Sequence, residues 1–131
     1  MSDPTGLNHV AMSVAPGTLT DAFRSDLLEF YGDRLGWREM DELRLPDRLT
    51  VSVGPHSYLN VRERPDPMAC SGYEHFGIVV ESTEAAEALW HALDHDPRDV
   101  HLEPLNAGED GYRSFRFRYL LPLTVEVQFF P

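Results

Sequence analysis

The chain has 131 residues, the usual size of one domain, and its apolar fraction of 42% is enough to form a core. A formal net charge of −11 argues against nucleic acid as a partner, because phosphate backbones would repel such a surface. The single cysteine, Cys70, excludes an intrachain disulfide. No apolar run is long enough to cross a membrane, and the first residues lack the pattern of a signal peptide, so we expect a cytoplasmic protein.

The first half of the chain reads as a strand, a helix and three further strands. The apolar run "LNHVAMSV" predicts a strand over 7–14. Apolar residues then recur at helical spacing across 18–37, with Thr18 or Thr20 as the N-cap and Gly36 at the end. Alternating or apolar segments predict three strands, at 37–45, 48–53 and 57–63.

A Pro-rich, polar linker at 65–71 separates this half from a second one with the same order of elements. The run "YEHFGIVV" predicts a strand over 73–80, and the segment 82–96 predicts a helix capped by Ser82 or Thr83. The rest reads as a weak strand at 98–105, a loop at 106–110, and strands at 112–120 and 122–130.

The two halves align at one ungapped offset of 66 residues. This offset places His9 on His75 and Asn60 on Glu126, and it also pairs apolar helix positions such as Leu27 and Leu93. Self-similarity at a fixed period is a fold-level signal. We therefore predict an α+β fold in one domain, 1–131, built from two tandem βαβββ units, 5–64 and 72–131. The units should form a cup-shaped mixed sheet with the helices on its outer face.

Polar residues interrupt the apolar strands at the same place in each half. Because side chains alternate across a strand, His9, Asn60, His75 and Glu126 should all face the concave side, opposite the bulky apolar faces. Glu74 should point the other way and remain structural. A lone histidine on a strand is more often a satisfied core or rim residue, but here three candidates are aligned by the internal repeat.

Two imidazoles and one carboxylate form a ligand set that suits a divalent metal ion. Such a set fits Fe, Zn, Mn, Ni or Co, and it leaves positions open for substrate or water. We predict His9, His75 and Glu126 as metal ligands and Glu126 also as a catalytic base. Asn60 is a poorer ligand, which would supply an amide oxygen or bind a metal-bound water or substrate.

Two arginines lie on the same strand faces as the predicted ligands. Arg62 and Arg116 would grip a substrate carboxylate or phosphate with two hydrogen bonds. The alternative is that they lie at strand ends and pair with the many surface acids. We predict both arginines and Asn60 as substrate-binding residues.

The segments "LNHVAMSV", "LLEFYGDRLGW", "YEHFGIVV" and "LTVEVQFF" resemble the vicinal oxygen chelate superfamily, which includes glyoxalases, extradiol dioxygenases, fosfomycin-resistance enzymes and bleomycin-binding proteins. The resemblance covers nearly the whole chain, and "EFYGDRLGW" is its most specific stretch. It implies paired βαβββ units around a divalent metal, a homodimer, and metal-ligand positions at His9, Asn60, His75 and Glu126. Glyoxalase-like members usually carry Glu or Gln where Asn60 stands, so the His, His, Glu set looks more like that of the extradiol dioxygenases.

Three functions follow as hypotheses. The first is a metal-dependent dioxygenase-, lyase- or isomerase-like enzyme acting on a small oxygen-rich substrate. The second is a non-enzymatic protein that binds a small molecule or drug, like the bleomycin-resistance proteins, whose lack of metal ligands differs from this chain. The third is a domain that retains only the fold.

Overall fold

A computed structural model of the protein describes residues 4–131, which divide into one compact unit ending at Met68 and a second unit, Ala69–Pro131. The first unit contains β1 (His9–Val14), α1 (Asp21–Leu35), β2 (Arg38–Glu39), β3 (Arg48–Gly54) and β4 (Ser57–Glu63). Its strands form one sheet in the order β1-β4-β3-β2. The sheet is mixed, because β1 runs parallel to β4 and the other pairs are antiparallel.

The second unit repeats this topology. It contains β5 (His75–Val79), α2 (Thr83–Asp94), β6 (His101–Leu102), β7 (Asn106–Ala107), β8 (Arg113–Arg118) and β9 (Thr124–Phe129). The strand order is β5-β9-β8-β6, and the short β7 also pairs with β8. The parallel pair is again formed by the first and last strands. Two mixed sheets with one helix each confirm the predicted α+β class with two βαβββ motifs.

The strand registers of the two units are the same at the 66-residue offset. His9 pairs with Tyr58 in the first unit, and His75 pairs with Thr124 in the second. Two residues further along β1, Ala11 lies beside Asn60, and Gly77 lies beside Glu126 in the second unit. The opposite strand neighbour of Asn60 is Thr50, and that of Glu126 is Arg116. The offset inferred from sequence therefore describes the ladders between the long strands of both sheets. It does not describe the outer ladders, because Arg38 pairs with Ser52 whereas His101, and not residue 104, pairs with Arg118.

The helices do not begin at this offset, although Leu27 and Leu93, which the offset pairs, are both buried. Helix α1 begins at Asp21 and α2 at Thr83, so their starts are 62 residues apart. At that spacing the buried Arg24 corresponds to the buried Ala86, and further along the two helices Tyr31 corresponds to Leu93. A helix packed on a sheet can shift along its own axis and change the length of its loops, whereas a hydrogen-bonded ladder fixes strand register.

The helix ends agree with the capping residues expected from sequence. Thr20 is the N-cap of α1, and its hydroxyl accepts a hydrogen bond from the backbone N–H of Phe23 at 3.1 Å. Ser82 caps α2 in the same way through the N–H of Ala85 at 3.0 Å. Gly36 ends α1 with φ of 73°, a left-handed conformation that glycine adopts without the Cβ clash.

Two predicted strands are much shorter than expected. The segment 37–45 contains only the two residues of β2, followed by a 3-10 turn over Asp41–Leu43. The segment 98–105 contains only the two residues of β6, and the predicted loop at 106–110 includes β7.

One buried side chain, Arg24, satisfies part of the irregular backbone between β2 and β3. The guanidinium of Arg24 donates hydrogen bonds to the carbonyls of Leu45 at 2.7 Å, Pro46 at 3.2 Å and Arg48 at 3.2 Å, and also to that of Leu19 at 3.1 Å. These carbonyls are satisfied by an arginine, and the chain need not extend a strand to pair them.

The alternation of buried and accessible residues matches the predicted faces. On β3, β4, β8 and β9 one face is buried and apolar: Leu49, Val51, Leu59, Val61, Phe115, Phe117, Val125 and Val127. The predicted site residues lie on the opposite faces and are exposed or half-buried. Within residues 4–131, no helix has both the length and the apolar character needed to span a bilayer.

Candidate functional site

The second unit brings two of the predicted ligands together. His75 is the first residue of β5, and Glu126 is the third residue of the adjacent β9. The His75 Nε2 atom lies 3.0 Å from Glu126 Oε1, and both side chains remain roughly a quarter accessible (25% and 21%). The pair is thus formed within one sheet and stays open to a ligand.

The other ring nitrogen of His75 is also engaged. Its Nδ1 atom lies 2.5 Å from the backbone carbonyl oxygen of Tyr73. A carbonyl oxygen only accepts, so Nδ1 carries the proton in this contact. In the neutral ring, Nε2 then presents a lone pair to the Glu126 carboxylate, which is itself an acceptor. Two acceptors at 3.0 Å call for a cation between or beside them, either a proton on Nε2 or a metal ion.

The neighbouring residues explain why the His75–Glu126 contact forms. Gly77 lies directly beside Glu126 and has no side chain, and Thr124, the strand partner of His75, is small. The imidazole can therefore lean along the sheet toward the carboxylate. A Cβ atom at Gly77 would meet only ordinary van der Waals contacts, at 3.9 Å from Glu126 and Gln128 atoms, so the glycine is permissive and not obligatory.

The equivalent residues of the first unit make different contacts. His9 stacks on Tyr58, with ring centroids 4.8 Å apart and the planes nearly parallel, and its Nδ1 lies 2.8 Å from the Asn8 side-chain oxygen. Asn60 stands where Glu126 stands in the second unit, and its side-chain oxygen lies 3.5 Å from the Thr50 hydroxyl. His9 is exposed, and the first unit contains no imidazole–carboxylate pair at this position among its described residues.

The two arginines predicted to bind substrate have carboxylate partners. Arg62 lies 3.6 Å from Asp47, and Arg116 lies 3.8 Å from Glu103. Both pairs are long and well exposed to solvent, so each is weak and can be exchanged for a ligand at small cost. Arg116 is also the strand neighbour of Glu126, on the open face of the second sheet.

The donor chemistry of His75 and Glu126 fits two neighbouring positions of one metal ion. Imidazole nitrogen and carboxylate oxygen bind divalent metals at about 2.0–2.2 Å, which places two adjacent donors about 3 Å apart. The Nδ1 contact to Tyr73 is the type of outer contact that orients a ligating histidine. However, across residues 4–131 no group of three or more His, Cys, Asp or Glu side chains is arranged to hold a metal ion.

Sequence reasoning missed the contacts that set the orientation of His75. The Tyr73 carbonyl contributes through a backbone atom, which carries no residue-type signal. The one available signal was Glu74, an acid directly before the histidine, which the sequence reading assigned to structure alone.

The chain was compared with known proteins by sequence and by structure. No protein-family model and no curated protein matches the sequence. Solved structures do match: the lactoylglutathione lyase of Agrobacterium tumefaciens is 20% identical, with a TM-score of 0.63 over 97% of this chain and 95% of that one.

Two further solved structures extend the likeness. A variant of the fosfomycin resistance protein FosX of Listeria monocytogenes, complexed with Mn(II) and 1S,2S-dihydroxypropylphosphonic acid, is 14% identical, with a TM-score of 0.67 over 96% of this chain and 92% of its own. The oxidase ChaP-H2 is 16% identical, with a TM-score of 0.64 over 97% and 94%. These matches confirm the fold that the resemblance to the vicinal oxygen chelate superfamily predicted.

Proposed function

We propose that this protein is a divalent-metal-dependent enzyme of the vicinal oxygen chelate type that acts on a small, oxygen-rich substrate. His75 and Glu126 hold the ion. The observation that carries the proposal is the His75 Nε2–Glu126 Oε1 contact at 3.0 Å, with the proton of the ring placed on Nδ1 by the Tyr73 carbonyl.

Each proposed role follows from the chemistry of the side chain. The metal ion, when bound, supplies a Lewis acid that polarises a substrate oxygen. Glu126 holds the ion and accepts a proton from the substrate. Arg116, directly beside Glu126 on β8, binds a negatively charged group of the substrate, because its pairing with Glu103 is long and accessible. Asn60 and Arg62 are the substrate contacts proposed for the first unit, and the active protein is a homodimer, as the resemblance implies.

Support from the comparisons is at the level of the fold. The matched FosX structure contains Mn(II), and the other matched proteins are a lyase and an oxidase, so the fold is used by metal-dependent and redox chemistry. Which of these reactions this chain performs depends on the shape and polarity of the pocket, and the same fold serves several reactions.

The test is metal binding by protein purified without affinity tags or chelators. We expect about one divalent metal ion per chain by elemental analysis, and one Mn(II) site in a titration of the metal-free protein. His75→Ala should weaken Mn(II) binding at least about 100-fold, since loss of an outer contact alone costs 10–100-fold. His56→Ala, at an exposed histidine in the turn before β4, is the matched control and should bind Mn(II) like the parent. Equal affinity in parent and His75→Ala would contradict the proposal.

A second candidate is a metal-free small-molecule-binding protein of the bleomycin-resistance type. It is favoured by the absence of a three-donor cluster among residues 4–131. The acidic surface, with a net charge of −11, suits a cationic drug. Calorimetric titration of bleomycin into the metal-free protein separates the two candidates: tight binding without Mn(II) binding supports the second, and Mn(II) binding lost in His75→Ala supports the first.

A further inference from the structure

We infer that Glu74 is a positioning residue: its carboxylate closes the turn at 71–74, the turn presents the Tyr73 carbonyl to His75 Nδ1, and this contact keeps His75 Nε2 directed at Glu126. The inference deepens the proposed metal site and rests on it for its functional meaning. The contacts themselves do not depend on any bound ion.

The carboxylate of Glu74 joins the two ends of the turn at 71–74. Its Oε2 atom accepts hydrogen bonds from the backbone N–H of Ser71 and from the Ser71 hydroxyl, both at 2.9 Å. The pKa of Glu74 is lowered by its own backbone N–H, then by the hydroxyl and the N–H of Ser71, and least by the N–H of Gly72. Gly72 has φ of 104°, so the turn also requires a residue without Cβ strain at that point.

The C-terminal end of the turn is tied to the sheet. The backbone carbonyl of Glu74 accepts from the N–H of Thr124, the first residue of β9, at 3.3 Å. Tyr73 therefore sits between a closed turn on one side and the β5–β9 ladder on the other, and its carbonyl is held at 2.5 Å from His75 Nδ1. An acceptor fixed at Nδ1 disfavours the Nε2–H tautomer of the neutral ring, because that tautomer sets the Nδ1 lone pair against the carbonyl oxygen and leaves Nε2 unable to bind a metal.

The first unit makes the same ring contact by a different route. There Asn8, the residue directly before His9, places its own side-chain oxygen 2.8 Å from His9 Nδ1. In the second unit Glu74 occupies the matching place, but its side chain is used by the turn, and a backbone carbonyl takes over the contact. An Asn amide can rotate to donate or accept, whereas a carbonyl can only accept, so the second arrangement is the more specific one.

The test is the tautomeric state of His75 in the metal-free protein. Long-range ¹⁵N–¹H correlation spectra of ¹⁵N-histidine-labelled protein, recorded at a pH where the ring is neutral, report which nitrogen carries the proton. His75→Gln assigns the signal among the six histidines. We expect the Nδ1–H form in the parent, a shift toward the Nε2–H form in Glu74→Ala, and recovery in Glu74→Gln, which keeps an acceptor oxygen. Glu81→Ala, at an exposed acid after β5, is the matched control and should leave the parent spectrum unchanged.

Two results would overturn the inference: the Nε2–H form in the parent, or an Nδ1–H form that persists in Glu74→Ala. Backbone amide spectra of β9 and the unfolding midpoint establish that Glu74→Ala is folded, and Ser71→Ala supplies a milder variant that should give a smaller shift. A Mn(II) titration of the same proteins is read separately. If His75→Gln binds Mn(II) like the parent, the proposed function fails while the tautomer result stands. If Glu74→Ala changes the tautomer of His75, the Mn(II) affinity of this variant should fall about 10–100-fold.

Discussion

The two units have the same strand order and, in their three long strands, the same register, yet they differ at the place where each offers a histidine. In the first unit His9 is stacked on Tyr58 and faces an amide, Asn60, across one strand step. In the second unit the place of Tyr58 is taken by Thr124, the amide is replaced by Glu126, and His75 contacts the carboxylate. The scaffold is therefore common to both units, and the chemistry is decided by two or three side chains on one face. The units also differ at their helices, where Arg24 of the first corresponds to Ala86 of the second.

The largest expected effect concerns Arg24. Arg24→Met keeps most of the side-chain volume but removes the donors that satisfy four backbone carbonyls, three of them between Leu45 and Arg48. Because one buried and three part-buried acceptors would lose their arginine donor, we expect a loss of about 2–4 kcal/mol in the free energy of unfolding, measured by urea denaturation. Arg64→Ala, at an exposed arginine, is the control and should change it by less than about 0.5 kcal/mol. An unchanged urea midpoint in Arg24→Met would show that the hydrogen bonds from Arg24 to these carbonyls do not stabilise the first unit.

The second prediction exchanges the ligand chemistry of the two units. Glu126→Gln gives the second unit the amide of the first, and we expect its Mn(II) affinity to fall at least about 100-fold, since the only carboxylate of the pair is lost. Asp47→Asn, which changes an exposed acid in the first unit in the same way, is the matched control. Parent-like Mn(II) binding by Glu126→Gln would remove Glu126 from the site.

The third prediction copies the second unit into the first. The double variant Tyr58→Thr/Asn60→Glu removes the stacking partner of His9 and supplies a carboxylate at the register position of Glu126. Free of Tyr58, the His9 ring should lean toward the new carboxylate, and a crystal structure should show a nitrogen–oxygen distance of about 3 Å. Asn60→Glu alone, with Tyr58 retained, is the control and should leave His9 stacked. If His9 stays against Asn8 in the double variant, the difference between the units has another cause.

The smallest expected effect is on the acid stability of the first unit. The pKa of Glu63 is lowered from its ordinary 4.5, because its carboxylate accepts from the backbone N–H of Gly17 and then of Leu19. A lowered folded-state pKa adds stability that is present above the unfolded value and is lost as the pH falls through the folded one. The matching place in the second unit is Phe129, which does not titrate.

We therefore expect the urea midpoint of the parent to fall as the pH drops below about 4.5, and to fall less steeply in Glu63→Gln. Glu84→Gln, at an exposed acid of α2, should retain the slope of the parent. Identical slopes in parent and Glu63→Gln would contradict the assignment.

Much of the fold could be predicted from sequence because the residue pattern shows both the alternation of the strands and a repeat at an offset of 66 residues. The repeat predicts that the register of β1 with β4 is repeated by that of β5 with β9, and the structure shows this. The helix register could not be predicted, since loops before and after a helix absorb changes in length. The shortness of β2 escaped prediction because a 3-10 turn over Asp41–Leu43 and the side chains of Arg24 and Arg48 satisfy carbonyls between β2 and β3.

For the candidate site, the shared strand face of His75 and Glu126 could be predicted from sequence, but the contacts of the histidine rings could not. Alternation placed His75 and Glu126 on one face, and the structure shows them in contact. The state of the ring was not predictable, because it depends on the carbonyl of Tyr73, and every residue has a carbonyl. Likewise the stacking of His9 on Tyr58 depends on a side-chain conformation that a sequence pattern does not specify.

The most direct test of the His75–Glu126 site is a crystal structure of the protein soaked in Mn(II), with anomalous data collected for manganese. The account predicts one anomalous peak about 2.0–2.3 Å from both His75 Nε2 and Glu126 Oε1, and no peak in crystals of His75→Ala. A peak elsewhere on the chain, or none in crystals whose His75 and Glu126 remain 3.0 Å apart, would contradict the claim that the second unit holds the metal ion.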